Sequence, residues 1–255
     1  MKTSSFWADR LRASGIHLGL SLGIAALAAL LVFGVWYPYP YREISGGREL
    51  FFLVVTVDVI LGPLITLAIF NRDKPWATLK RDLAVVALLQ LGALAYGLWT
   101  VSVARPVHLV FETDQFRVVH AIDVNPALLP QVATSVVAMP LTGPSLLSLR
   151  DYKDSQEKSA VIFEELAGNP VGARPDFWQP YDHAKADVLR KAQSVAALKA
   201  RLPAKAAGID SVLKESGRDA DHTVYLPMVG RGQFWTAFLD PVTAQVVAFM
   251  PLDPF

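Results

Sequence analysis

Three apolar runs in the first hundred or so residues, each 21 residues long, constrain this chain more than any other feature. They cover residues 16–36, 50–70 and 83–103. About 20 consecutive apolar residues are what a helix needs to cross a hydrocarbon layer of roughly 30 Å. The first run holds only His17 and Ser21 as polar members; the second is interrupted by Asp58 and Pro63, and the third carries Gln90 and Tyr96. Three such runs in succession are poorly explained as buried helices of a water-soluble core. The first is also too long for a cleaved leader, and Trp36, Tyr37, Pro38, Tyr39, Pro40 and Tyr41 make a poor cleavage site. Clustered Trp and Tyr suit a boundary between lipid and water. The expected architecture is therefore a membrane protein with three transmembrane α-helices in residues 1–105, followed by a domain over residues 106–255.

Charge sets a direction. Up to Arg105 the chain has 10 Lys/Arg and 6 Asp/Glu, and beyond it 14 and 17. The N-terminal tail contains Lys2, Arg10 and Arg12, and the loop between the second and third runs contains Arg72, Lys74, Lys80 and Arg81. The loop between the first two runs has Arg42 and Arg48, each beside a glutamate. Basic residues mark the cytoplasmic side, so the tail and second loop are expected inside. Three crossings then place the C-terminal domain outside, in the periplasm of a bacterium with two membranes. A weakly acidic domain points away from nucleic acid, which calls for a basic stripe. The absence of cysteine removes thiol catalysis, cysteine zinc sites and disulfides.

Two features inside the runs invite a partner. A carboxylate near the middle of a transmembrane helix is costly and normally faces another polar group or a cavity. Asp58 is such a residue, and Tyr96 on the third run is expected at a similar depth. Asp58 either bonds to Tyr96 or Thr56 and holds the helices together, or meets a polar group on another protein's helix. Gly15, Gly19 and Gly23 recur every four residues and share a helix face where another helix can approach closely. That face could serve internal packing, self-association into a homo-oligomer, or a partner. His17 reads as an ordinary interfacial histidine, and Pro63 after Gly62 is expected to bend the second helix.

Beyond Arg105 the pattern predicts strands at 107–112 and 116–123, joined by a short polar loop. A proline-broken stretch follows at 125–144, then helices at 155–167, 182–200 and 205–215, then strands at 222–229, 234–239 and 244–250. Strands, helices and strands in that order suggest an α+β domain with a largely antiparallel sheet. Catalytic and metal-binding patterns do not emerge. His108, His120, His183 and His222 lack ligand spacing, with His108 and His120 read as surface residues of a hairpin. Ser145 lacks the glycines of a nucleophile elbow, and Glu164 and Glu165, being adjacent, point to different helix faces. No cofactor is expected. Phe177, Trp178 and Tyr181, set among prolines, are either a loop pinned to the core or an exposed contact surface.

The residues that stand out along this chain also occur together in a known family. They include Ile16, His17 and Leu18; Trp36, Tyr37 and Pro38 with Pro40 and Tyr41; and the run Asp58-Val-Ile-Leu-Gly-Pro-Leu-Ile-Thr66. They continue through Lys80, Asp82 and Leu83, Leu89-Gln90-Leu91, Ala95-Tyr96-Gly97, Ala104-Arg105-Pro106-Val107, Val110-Phe111-Glu112 and Phe116-Arg117-Val118-Val119. In order and spacing the chain resembles the type IV pilin accessory proteins of the bacterial inner membrane, closely over 16–123 and more loosely over 125–217. The resemblance implies a non-enzymatic, chaperone-like assistant that binds a cognate type IV pilin and supports its stability or assembly into pili. On that basis the hypothesis is that the first two helices hold the transmembrane helix of the pilin, with Asp58 near its polar groups, while the domain contacts the periplasmic head. A membrane-anchored envelope enzyme or sensor acting on the pilin system is the alternative.

Overall fold

The computed structural model describes residues 3–255; Lys2, counted above with the basic tail, lies outside the described residues. The chain forms two compact units, one of residues up to 37 together with 46–103, the other of residues 38–45 together with 104–255.

The first unit is helical. Helix α1 (Thr3–Leu31) runs on through a π-helical turn, Val32–Trp36. The short helix α2 (Tyr41–Ile44) belongs to the second unit. Helix α3 (Gly47–Thr56), a π turn at Val57–Leu61 and helix α4 (Gly62–Ile69) form the second long rod, and α5 (Trp76–Val103) the third. The rods at Phe6–Trp36, Gly47–Ile69 and Trp76–Val103 are long and apolar enough to cross a membrane. The first and third begin earlier than their apolar runs because polar and aromatic side chains continue the helix. Arg10 stacks on Phe6 at 4.2 Å, Lys80 on Trp76 at 5.0 Å, and Lys74 pairs with Asp82 at 2.8 Å. The helices leave broad apolar surfaces uncovered, with Leu27, Leu53 and Leu88 about 70% exposed. A helix that is apolar all round and yet uncovered requires an apolar solvent, which is what lipid supplies.

The second unit is built on one curved sheet. Its strands are β1 (Pro106–Glu112), β2 (Gln115–His120), β3 (Ser145–Leu149), β4 (Trp178–Pro180), β5 (Gln193–Ser194), β6 (Val224–Val229), β7 (Phe234–Leu239) and β8 (Val246–Met250). The order is β4-β3-β1-β2-β6-β7-β8, with β5 also paired to β6. The sheet is mixed, which corrects the expectation of a largely antiparallel one. The loop-rich segment 121–144 carries the chain back across β1, so β3 enters parallel to it; the helical segment that follows delivers β6 parallel to β2. The expected 182–200 helix is also interrupted. A 3-10 turn (Tyr181–Ala184) leads into α7 (Lys185–Lys191); the chain then extends to form β5 and restarts as α8 (Val195–Arg201). Pairing of β5 with β6 supplies ladder bonds that outweigh helical propensity there, and Ser194 caps α8 by accepting from the Ala197 N–H at 3.2 Å. Helices α6 (Ser155–Leu166) and α9 (Ala206–Glu215) lie close to their expected places.

Alternation along the central strands fills both faces. Leu109, Phe111, Phe116, Val118, Leu226, Met228, Trp235 and Ala237 pack on one side with Val188 of α7, and with Tyr41 and Ile44 of α2. On the other side, Val110, Val119 and Leu147 meet Ala173 and Trp178, while Tyr225 and Phe238 meet α8 and α9. The segment between the first two apolar helices is thus part of the core of this domain. Tyr41 and Ile44 are buried there, and Ile44 lies against Gly230, where a Cβ would collide with it. The aromatic cluster 36–41, expected to sit at the membrane boundary, is divided between the units: Tyr37 is buried and donates to the Val101 carbonyl at 3.0 Å, and Tyr39 remains exposed. Replacing the fully enclosed Ile44 leaves a cavity, so Ile44→Ala should lower the domain's stability by about 2–5 kcal/mol. Thermal unfolding of the detergent-solubilised chain, set beside the exposed Tyr39→Ala, measures it.

Candidate functional site

The second rod explains the polar chemistry of the helical unit. Pro63 has no N–H and cannot close the helical bond expected at its position. The chain widens into the π turn at Val57–Leu61 just before it, and a carbonyl at that level must find another donor. Gln90 of α5 supplies one: its Nε2 donates to the Asp58 carbonyl at 3.1 Å. Close approach is allowed because Gly62 stands under the Gln90 amide, where any Cβ would collide with it. On the other side of the rod, Ser14 donates to the Pro63 carbonyl at 2.9 Å, and His17 Nδ1 lies 2.6 Å from Thr66 Oγ1. His17 is thus a link between α1 and α4 rather than a bystander. Gly97, buried beneath Val54, is the corresponding close approach of α5 to α3.

These contacts leave a cleft of about 190 Å³ among the three helices. Its polar members are His17, Ser21, Asp58 and Gln90, and its walls are aliphatic residues of α1 and α5, among them Leu20, Ile24, Leu91 and Leu94. Asp58 Oδ1 is enclosed and has no hydrogen-bond partner among the described residues. Tyr96, which depth alone placed near Asp58, is 68% exposed and packs on Trp99 at 5.7 Å. Direction around the helix explains the difference: Gln90, not Tyr96, lies on the face of α5 that turns toward the second rod. Gly15, Gly19 and Gly23 have nothing within 4 Å of where a Cβ would stand, so their face is not used for packing inside the unit.

In the domain, Phe177, Trp178 and Tyr181 are core rather than contact surface. All three are buried; Trp178 Nε1 donates to the Gly172 carbonyl at 2.8 Å, and Tyr181 donates to the Ala244 carbonyl at 2.6 Å. The histidines of the first hairpin are also interior, against the expectation of surface positions. His108 Nε2 lies 3.0 Å from the Ala138 carbonyl, which can only accept, so Nε2 carries the proton and Nδ1 accepts from Ser145 Oγ at 2.7 Å. His120 pairs with Asp123 at 3.1 Å. Glu112, which the sequence did not distinguish, is enclosed: Arg117 Nε donates to both its oxygens and the Gly172 N–H to one at 2.7 Å. Burial pushes the Glu112 pKa up against the opposing pull of Arg117. Glu164 pairs with Arg174. Among the described residues, no cluster of three metal-ligating side chains forms.

A helical unit able to cross a membrane, joined to a mixed-sheet domain that takes part of its core from between two of the long apolar helices, defines the class. Comparison with known proteins narrows it. The family model described as "Fimbrial assembly protein FimB" matches residues 5–46, which are α1 and the segment entering the domain core. The chain is 34% identical to the serogroup I fimbrial assembly protein of Dichelobacter nodosus over 95% of each chain. It is 32% identical to the serogroup E1 protein of the same organism, again over 95% of each. With the protein of serogroups C1 and C2 it shares 44% identity over 118 residues, 46% of this chain and 90% of that one. No solved structure matches. The chain belongs to the fimbrial assembly protein family.

Two outcomes check this geometry. Gly62→Ala drives a methyl group into Gln90 and breaks its bond to the Asp58 carbonyl, so it should destabilise the solubilised chain by about 1–3 kcal/mol. Gly19→Ala meets open space and should leave the melting temperature unchanged or raised. For His108, burial lowers the pKa from 6.5 to about 4, although its bond to the Ala138 carbonyl pulls the other way. The unfolded chain therefore binds this proton first on acidification. The stability owed to neutral His108 is complete above pH 6.5 and is lost as pH falls toward 4, up to about 3 kcal/mol. Denaturation midpoints measured across that window should fall less steeply in His108→Gln than in the wild type.

Proposed function

We propose that the protein is a non-enzymatic accessory factor that binds a cognate type IV pilin in the bacterial inner membrane and supports its stability or its assembly into pili. The observation that carries the reading is identity along almost the whole chain to proteins named for fimbrial assembly. The helical unit adds a physical rationale: its apolar faces are uncovered and its cleft is lined by Asp58, whose Oδ1 has no partner among the described residues. Such a unit suits a single hydrophobic helix held in the bilayer, and the domain suits contact with a folded head beyond it. The protein acts by binding, in the manner of a chaperone, and requires no cofactor.

In this reading the N-terminus is cytoplasmic and the domain periplasmic. The basic residues of the tail and of the loop between the second and third helices support that direction. The place of Tyr41 and Ile44 in the core of the domain fits three crossings, whichever side of the membrane the domain occupies. A segment between the first and second crossings that is folded into the C-terminal domain must be on the same side of the membrane, as three crossings require. Capture by the tagged full-length protein from detergent extracts of piliated cells should recover the pilin, and deletion should lower pilin levels or surface pili. Eluates without pilin, together with normal piliation in the deletion strain, would overturn the proposal.

A further inference from the structure

Resting on the reading that the helical unit is a docking unit, the geometry points to the seat and to the chemistry of its occupant. We infer that the cleft between α1 and α5 receives one transmembrane helix of a different protein, and that a side chain near the middle of that helix donates a hydrogen bond to the Asp58 carboxylate. The seat is not the pair of first and second helices expected from sequence. Of the cleft residues, Asp58 and Val55 come from the second rod and the rest from α1 and α5. Leu20 and Leu91, on the two sides of the mouth, are 64% and 54% exposed, so the cleft opens on the surface that would face lipid.

Three properties choose the occupant. The cavity has the volume of a side chain or two rather than of a helix, so it takes knobs from a helix lying along its mouth. Its aliphatic rim fits the apolar surface of such a helix. Asp58 lines the cavity, and no described residue donates a hydrogen bond to Asp58 Oδ1. Lipid chains carry no donor, and an unmet polar atom at this depth is expensive. Asp58 is the central residue of Gly47–Ile69, so the donor belongs in the middle of the partner's crossing and not at either end. Serine, threonine, asparagine, glutamine or lysine supplies it. Two other polar groups at this level are already engaged, the Asp58 carbonyl by Gln90 and His17 Nδ1 by Thr66.

The chain has no cysteine, which allows a clean test in membranes of the full-length protein. Single cysteines at Leu20 and Leu91 line the mouth, whereas those at Leu53 and Leu64 are exposed but absent from the cleft lining. Each is co-expressed with pilin carrying single cysteines along its transmembrane helix and then oxidised. Disulfide-linked heterodimers are expected from Leu20→Cys and Leu91→Cys and not from the other two. The yield should fall roughly fivefold when Asp58→Leu is added, and should persist with Asp58→Asn, which keeps an acceptor oxygen at the same place. Equal trapping at all four positions, homodimers through the mouth, or indifference to Asp58→Leu would overturn the inference; the cysteine pattern decides even if Asp58→Leu fails to fold. Pilin capture and piliation that depend on this protein, without trapping at the mouth, would remove the seat and leave the proposed function standing. Trapping at the mouth in cells whose piliation survives deletion would do the reverse.

Discussion

A helix in hydrocarbon has to satisfy its backbone from within the protein, and Pro63 prevents the second rod from doing so alone. Much of the helical unit is arranged around that deficit. The π turn at Val57–Leu61 widens the helix ahead of the proline, Gln90 reaches across to the Asp58 carbonyl, and Gly62 makes room for the Gln90 amide. Ser14 and His17 add bonds from α1 at Pro63 and Thr66. Lipid gives no hydrophobic drive for these helices to meet, so small residues and a few interhelical hydrogen bonds must set their spacing. Gly62 and Gly97 perform that role. Gly15, Gly19 and Gly23, which have the more familiar spacing, do not.

The domain answers a different problem. Its sheet is covered on both faces, and part of one cover comes from a segment far away in sequence. Tyr41 and Ile44 precede β1 by more than sixty residues and two membrane-length helices, yet they close the core over Met228 and Trp235. The domain's core is therefore complete only with the segment that joins the first two long helices. This also explains why a family signature over residues 5–46 runs past the end of the first helix: the segment serves two structures at once.

What was legible in the sequence followed from periodicity and length. The three helices, the β1–β2 hairpin, strands β6 and β7, and helices α6 and α9 needed no more than apolar spacing and turn residues. What was hidden depended on distant partners. Strand β3 is five residues without a β-branched side chain, bounded by Pro144, and β4 is three residues ending in Pro180; neither reads as a strand until its neighbour is known. Parallel pairing of β3 with β1 leaves no local mark. The break at Ala192 contains neither glycine nor proline, and exists because β6 offers Gln193 and Ser194 a ladder. In the site, Asp58 was legible as a costly residue, but its neighbours were not, because depth along a helix says nothing about direction around it. Tyr96 and Gln90 are six residues apart, and only the rotation of α5 selects between them.

The two interior carboxylates show why Asp58 is the informative one. Glu112 lies in a domain that water can reach during folding, yet the folded structure surrounds it with Arg117 and the Gly172 N–H, and Gly172 has no side chain to obstruct them. It is a closed structural unit, and removing one partner would strand the other. Asp58 is placed where the surrounding solvent can offer nothing, and its carbonyl rather than its carboxylate receives the available amide. A protein that needed Asp58 only as glue would have turned Gln90 or Tyr96 toward the carboxylate. Leaving Oδ1 without a donor among the described residues, beside a cleft that opens laterally, is costly for the isolated chain, and in the proposed seat a donor to the carboxylate from another helix would offset that cost.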